Sequence, residues 1–429
     1  MSKGVHCMFM GNKEMILREC ECRNSIRRVQ NGSMDHRTFF YNIRGDLLVS
    51  GYAATNTTLM ADLIEVYMQR GDMPMIVFSS HGELFEKLRE RKAAGWMNKM
   101  MITDAMEKNF HPFYGMGAQQ LLRFIYMAAE LQGYGGLMDR VLQYASAALN
   151  IVEQTYPVSL PALCQLLHQD DDAISEYALQ VGLSDVIADN IRANHMAGII
   201  LRRICEKLES VFEGIYVAGS DTKYTFQTGV QGENSAMVFD FMSSEQKIMN
   251  TYLKEELFYT LKHVPKIRVV LDEMDFDSND ELLTFLFTMK RQRKIELIFV
   301  SQNPMESAKD MQMSFANVIL SQHEEPTMTE ELSKALWGTY LYNYPVTVAG
   351  KPPAVLFTFK STIHWQIATE ERLKVRAMDL YPQHGFLFKV SDMIALKTSA
   401  NENIFLVPSD KFMPVQSGLP EGSMVIEMS

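Results

Sequence analysis

The octapeptide Gly51-Tyr-Ala-Ala-Thr-Asn-Thr-Thr58 lies between an apolar run and an amphipathic one. Turns that cradle phosphate run Gly, four residues, Gly, Lys, then Ser or Thr: backbone N–H groups wrap the phosphates, the lysine reaches the terminal ones and the hydroxyl serves Mg²⁺. Gly51 and Thr58 fill the first and last of these positions, whereas Asn56 stands for the second glycine and Thr57 for the lysine. Taken alone the segment is a strand-to-helix turn in which Thr57 or Thr58 caps the helix. Its context adds a second possibility. Asp272 and Glu273 close the apolar run "RVVLDE", and the carboxyl ends of parallel strands are where such sheets bind ligands. An Asp there can hold a Mg²⁺ water shell and a neighbouring Glu can polarise an attacking water; the same pair also ends ordinary structural strands. Gln302 ends the next apolar run, "IELIFVSQ", where a carboxamide can sense a γ-phosphate or the attacking water. Lys290, Arg291, Arg293 and Lys294 gather at a helix end. They either complement the helix dipole, supply an arginine to a neighbouring subunit's nucleotide, or face DNA.

These residues need elements to hold them. Asp46 to Ser50, closed by Gly51, predicts a buried strand meeting a turn. From Thr58, Leu59, Leu63, Val66 and Tyr67 share one helical face, and Gly71 is placed as a stop. "MPMIVFSS" is the continuous apolar run of a strand covered on both faces. Strand, turn, helix and strand make a βαβ unit. From about Gly82 to Glu213 helical periodicity dominates, as in "GAQQLLRFIYMAAELQ" and "AGIILRRICEKLESVF", which predicts an all-helical insertion. Strand signals return at Ser235 to Phe241, and a helix follows that opens on a Ser-x-x-Glu/Gln-like cap. "KIRVVLDEMDF", the helix "DELLTFLFTMKRQRK" and "IELIFVSQNP" then resume the parallel sheet. Beyond Pro304, "ANVILSQ", "AVLFTF", "FLFKV" and "NIFLVP" predict short strands, with one helix around Met328 to Tyr340.

At 429 residues the chain has length for roughly two to three domains. Its net charge of −11 disfavours a protein that coats nucleic acid or anionic membrane with its whole surface, while permitting a local basic channel. With 47% hydrophobic and 22% charged residues it is neither disordered nor a multi-span membrane protein. No run approaches the roughly 18 apolar residues needed to span a bilayer, and the N-terminal stretch lacks the apolar core of a signal peptide. The expectation is a soluble, cytoplasmic chain. Five scattered cysteines (Cys7, Cys20, Cys22, Cys164, Cys205) suit reduced thiols rather than a disulfide scaffold, and the 31 methionines suit pliable core packing. There is no Gly-x-Ser-x-Gly elbow and no His-Glu-x-x-His helix. His81, His111, His168, His195 and His263 are isolated in sequence and are expected to be surface or structural histidines.

The order of these elements resembles the FtsK/HerA class of P-loop motor ATPases, and within it the TraG and TraD-like coupling proteins of conjugation and type IV secretion. The resemblance runs over roughly residues 45 to 320, anchored on Gly51 to Thr58, "MPMIVFSSHGEL", "VVLDEMDF" and "FVSQNP". It implies an α/β fold: a P-loop NTPase (RecA-like) core with a mainly parallel sheet, interrupted by an all-helical insertion domain. The corresponding divisions are residues 1–82, 83–213 and 214–429. By the family pattern Asp272 and Glu273 are the Walker B pair, Gln302 the glutamine of the following strand, and Arg291 or Arg293 a candidate arginine finger. Gly51, Asn56, Thr57 and Thr58 would meet the nucleotide, with Thr58 and Asp272 serving the metal; the cofactors implied are ATP and Mg²⁺. The family's Asp-Pro-x-Gly-Glu-type turn corresponds here to Ser79-Ser80-His81-Gly82-Glu83.

The departures carry their own consequences. Without the lysine, the main cation on the β- and γ-phosphates is missing, and Asn56 carries a Cβ where glycine lets the backbone close. Loss of one preorganised charge contact costs on the order of 3 kcal/mol of transition-state stabilisation, about 10² to 10³ in rate. Weak or absent hydrolysis is therefore expected, with a part in substrate recruitment or assembly; the alternative is an active DNA or protein translocase whose missing charge comes from elsewhere, Lys290 and Arg291 being nearest. The resemblance further implies secretion or conjugation machinery as partners, DNA or a relaxase on the helical insertion, and a homo- or hetero-oligomer, hexameric in the family. The clusters Lys87 to Lys92 and Lys290 to Lys294 are candidates for a basic lining. With no intrinsic membrane span, the chain would reach the cytoplasmic face of a membrane by recruitment.

Overall fold

The computed structural model describes residues 26–28, 37, 40–41, 43–95, 97–103, 106, 110–134, 136, 138–212, 225–231, 235–240, 245–274, 281–302, 315–320, 323–337, 339–349, 363–373, 386–390, 403–407 and 424–427. In chain order the elements are β1 (Ile26–Arg28), β2 (Leu47–Ser50), a 3-10 turn (Gly51–Ala53), α1 (Thr57–Arg70), β3 (Met75–Ser79), α2 (Gly82–Ala93) and β4 (Met100–Thr103). There follow α3 (Ala118–Leu131), α4 (Met138–Thr155), α5 (Leu160–Leu167), α6 (Asp171–Gln180), α7 (Asp185–Ala193), α8 (His195–Phe212) and the single turn α9 (Phe226–Gly229). The chain then runs through β5 (Ala236–Asp240), α10 (Gln246–His263), β6 (Ile267–Asp272), α11 (Glu281–Arg291), β7 (Ile295–Ser301), β8 (Asn317–Leu320) and α12 (Pro326–Trp337). It closes with β9 (Thr339–Ala349), β10 (Ile363–Leu373), β11 (Phe386–Val390), β12 (Asn403–Val407) and β13 (Met424–Glu427).

Two compact units divide the chain: residues 57–301, and residues 1–56 together with 302–429. In the first, strands run parallel in the order β7-β6-β3-β5-β4. "IRVVLD", "IELIFVS" and "MIVFS" are buried at every position. This is the behaviour of apolar, β-branched runs whose two faces are both covered. In the second unit β2 and β8 are parallel, while β8, β11, β12, β13 and β1 follow one another antiparallel. The fold is α/β with a mainly parallel arrangement and a substantial helical portion, as expected.

Helix α1 departs from the one-faced amphipathic helix that its spacing suggested. Eleven of its 14 residues are buried, Asp62 and Glu65 among them. Arg91 of α2 resolves this, reaching Asp62 at 2.8 Å and Glu65 at 2.9 Å, so the charged face of α1 is covered by its neighbouring helix rather than by water. At the other end of α1, Arg70, Asp72, Arg268 and Glu296 form a second ion network. Arg268 is wholly buried, donates to Glu296 at 2.7 Å and lies 4.1 Å over the Tyr67 ring. Burial works against ionisation of Asp72, but the Arg70 hydrogen bond and Arg268 outweigh it and hold this carboxyl at about 2. This network sits where β6 and β7 begin, so α1 runs back along the sheet with its N-terminus toward the strands' carboxyl ends.

The region expected to be all-helical over 83–213 contains a strand. β4, "MMIT", pairs in parallel with β5 at the sheet edge, and α2 packs on α1; the helical portion proper begins at Ala118. A four-residue run is too short for periodicity to separate strand from helix. Among the insertion helices, Ser159 accepts from Ala162 N–H at 3.2 Å to cap α5, and Asp170 accepts from Ala173 N–H at 2.7 Å to cap α6. Aromatic contacts bind them to the sheet: Phe78, Phe110, Phe226 and Phe239 pack on one another, and Phe110 and Phe226 also meet Tyr252, which reaches Phe212 of α8 at 4.6 Å and Phe113 at 4.8 Å.

In the second unit β9 and β10 form an eleven-residue antiparallel pair, Thr339 opposite Leu373. No strand was expected there, because Pro345 interrupts one run and the charges of "TEERL" end the other. α12 ends at Trp337, where the expected helix ran on to Tyr340. The expected strand "AVLFTF" and the Ser cap before α10 lie outside the described residues.

Candidate functional site

At the carboxyl edge of the five-stranded sheet, Ser79 lies in register with Asp272. Asp272 is fully buried. Its Oδ2 accepts the Ser79 hydroxyl proton at 2.6 Å and faces His81 Nδ1 at 3.3 Å. Its Oδ1 is buried with no hydrogen-bond partner among the described residues. Leaving a carboxylate oxygen so costs a substantial fraction of a domain's stability, which a cation or its bound water would offset. The hydrogen bond to Asp272 raises His81 above the ordinary imidazole range, against partial burial. Sequence separation of 191 residues had hidden this pair.

Glu273, next along, has φ = 52°. A non-glycine residue in the left-handed region carries strain of order 1 kcal/mol, of the kind that gathers at functional turns. Neighbouring strand ends hold it: its N–H donates to Val300 O at 2.9 Å, while Ser80 Oγ donates to its carbonyl at 2.8 Å. The ends of β3, β6 and β7 are thereby tied into one platform.

Thr57 and Thr58 open α1, and both hydroxyls accept from Lys87 Nζ of α2, each at 2.6 Å. Lys87 stood in the sequence only as the first member of a basic run. Arg91, from the same run, is turned inward onto Asp62 and Glu65, so two of its charges serve α1 and not a basic lining. In the other unit Gly51, at φ = 80°, makes the tight corner after β2 that only glycine takes readily. Its carbonyl accepts Ala54 N–H at 2.9 Å, which commits one of the turn's amides internally. Asn56 is half-buried and leads directly into α1. Just before the turn, Ser50 Oγ meets His323 Nε2 at 2.7 Å; burial pushes this imidazole down to about 4.

Gln302 directly follows the carboxyl end of β7 and is half-buried. Arg291 and Arg293 lie at the other end of that strand, where α11 stops. Arg293 takes φ = 58° and its N–H donates to Lys290 O at 2.8 Å, while Lys294 N–H donates to Met289 O at 3.0 Å, the bonding of a left-handed helix stop. Seven strand residues separate them from Gln302, so within this chain the structure does not bring them to Asp272. The same holds for Lys290 as a replacement for the missing lysine.

Among the described residues no three His, Cys, Asp or Glu side chains cluster as a metal site. A buried carboxylate with one spare oxygen does fit Mg²⁺, which favours hard oxygen ligands and keeps several waters or phosphate oxygens. Among the described residues no helix is long and apolar enough to cross a membrane.

No protein-family model and no curated protein matches the chain. Among solved structures it is similar to the unbound monoclinic form of the bacterial conjugative coupling protein TrwBΔN70, at 13% identity and TM-score 0.46, covering 88% of this chain and 87% of that one. It is also similar to TrwB in complex with ADP and Mg²⁺, at 13% identity and TM-score 0.43, covering 81% and 82%. A third likeness is VirB4 of Thermoanaerobacter pseudethanolicus, at 16% identity and TM-score 0.40, covering 68% and 80%. Likenesses of this size carry no weight beside the chain's own residues.

Proposed function

We propose that this chain is a P-loop-type nucleotide-binding subunit of the coupling-protein kind, in conjugative DNA transfer or type IV secretion, which binds Mg-ATP and hydrolyses it slowly or not at all. The observation that supports this most is the buried, unpartnered Oδ1 of Asp272 at the carboxyl end of β6. Bound Mg²⁺ would supply charge neutralisation on the phosphates. Asp272 would hold its water shell, Ser79 and His81 fixing the carboxylate's other oxygen. Thr58 would offer its hydroxyl, Glu273 would polarise the water, Gln302 would sense the γ-phosphate, and Arg291 or Arg293 would serve a neighbouring subunit in an oligomer. Recruitment of DNA, a relaxase or another machinery protein falls to the helical portion.

Calorimetric titration of the purified chain with Mg-ATP tests the assignment. Micromolar binding that Asp272→Asn weakens at least tenfold in Mg²⁺ and leaves unchanged in EDTA is the expected result; no binding at millimolar ATP refutes it. ATP turnover no faster than that of Glu273→Gln supports the slow form. A robust Glu273-dependent rate stimulated by DNA supports the active translocase instead, a reading favoured by the position of Lys87.

A further inference from the structure

Lys87 is half-buried, and the acceptors of its ammonium are two neutral hydroxyls, Thr57 Oγ1 and Thr58 Oγ1. Among the described residues no carboxylate stands within ion-pair distance of it. One turn further along α2, Arg91 holds two carboxylates at once, Asp62 and Glu65. The contrast is informative. A cation withdrawn from water is ordinarily matched by an anion; α2 has that match at Arg91, whereas the half-buried Lys87 meets only hydroxyls. An ammonium also carries three donors, of which two are used, leaving one for another acceptor. The site is at the first turn of a 14-residue helix, whose dipole already favours negative charge.

A second observation on the same edge of the sheet points the same way. α2 begins three residues after Ser79, whose hydroxyl is bonded to Asp272, and Asp272 Oδ1 lacks a partner. The stretch from Ser79 to Lys87 thus links a carboxylate oxygen that has no hydrogen-bond partner to an ammonium held only by hydroxyls. A phosphate chain carrying a divalent ion satisfies both.

We propose that Lys87 supplies the phosphate-binding ammonium that position 57 lacks: its charge, delivered from α2 across the hydroxyls of Thr57 and Thr58, engages the terminal phosphates of a bound nucleoside triphosphate. This rests on the nucleotide reading above and gives that site its cation. The two hydroxyls act as positioning groups, fixing the ammonium over the start of α1. Threonine at position 57 is then a working replacement, since a lysine there would collide in charge with Lys87.

The test titrates Mg-ATP, and inorganic tripolyphosphate as a base-free probe, into the full chain and into Lys87→Ala, Lys87→Arg and the double variant Thr57→Lys, Lys87→Ala. Lys87→Ala is expected to weaken both ligands at least tenfold. Lys87→Arg should keep binding within about threefold, and the double variant, which returns the ammonium to the motif position, should recover most of the loss. Thermal unfolding accompanies each, and Lys87→Gln, which removes the charge and keeps much of the stem, takes the place of Lys87→Ala if the alanine variant does not fold. Wild-type binding that survives Lys87→Ala overturns the role of Lys87 while leaving the nucleotide reading intact. A loss that neither Lys87→Arg nor the double variant repairs also overturns it, because a packing role would respond in that way. No binding by the wild-type chain removes the nucleotide reading, and this inference with it.

Discussion

Glu256 places a titratable carboxyl where the sheet meets the helical portion. It is 1% exposed, and its Oε1 accepts from Tyr252 OH at 2.8 Å and from Phe113 N–H at 3.0 Å. Burial drives its pKa up to about 7, against those two hydrogen bonds, from an ordinary 4.5. A carboxyl whose folded pKa is raised keeps its proton in the native state after the unfolded chain has lost it. Its contribution to stability is therefore fully present below pH 4.5 and is lost as pH rises to about 7, at about 1.36 kcal/mol per pH unit, or about 3 kcal/mol in all. Glu256→Gln retains an acceptor for Tyr252 and Phe113 and cannot ionise. Relative to wild type, the variant should gain about 3 kcal/mol between pH 4.5 and 7.5. In a unit of this size each kcal/mol moves Tm by about 2 to 4 °C, so the difference in Tm should change by about 6 to 12 °C. The comparison of two chains at each pH cancels the groups they share. Parallel unfolding curves, with a constant gap across the window, would refute the assignment of a buried proton to Glu256.

His323 has the opposite sign. Held neutral at about 4 by burial, it contributes stability above pH 6.5 that is lost as pH falls toward 4, about 3 kcal/mol in all; His323→Gln should flatten that acid limb in calorimetric Tm measurements. Arg91→Ala removes the guanidinium that meets the buried Asp62 and Glu65 and should cost about 3 to 5 kcal/mol in urea denaturation, with a cost below 1 kcal/mol counting against the ion network. At Gly198 an added Cβ would stand 2.8 Å from the Tyr144 ring. Gly198→Ala should therefore destabilise the α4–α8 packing by about 1 to 3 kcal/mol, and Tyr144→Ala on that background should recover part of the overpacking penalty in a double-mutant cycle.

The strands that carry the site were legible because burial on both faces leaves no freedom of composition: "IRVVLD", "IELIFVS" and "MIVFS" had to be central strands, and their polar last residues had to fall at a carboxyl edge. The long helices α3, α4 and α8 were equally readable, from apolar spacing that repeats over 14 or more residues. β4 was not, being four residues long, nor was the pair β9 and β10, whose proline and charges imitate loop chemistry. The sequence by itself determined which residue types the turn at Gly51 lacked and that Asp272 ended a buried strand. Only the tertiary structure decided what meets those residues. Lys87 lies 30 residues from Thr57, and His81 lies 191 from Asp272. Local periodicity sets which way a helix faces but not which side chain of the next helix arrives opposite it. That is settled by the packing of α1 against α2, where Arg91 fixes the register and one turn away carries Lys87 onto Thr57 and Thr58.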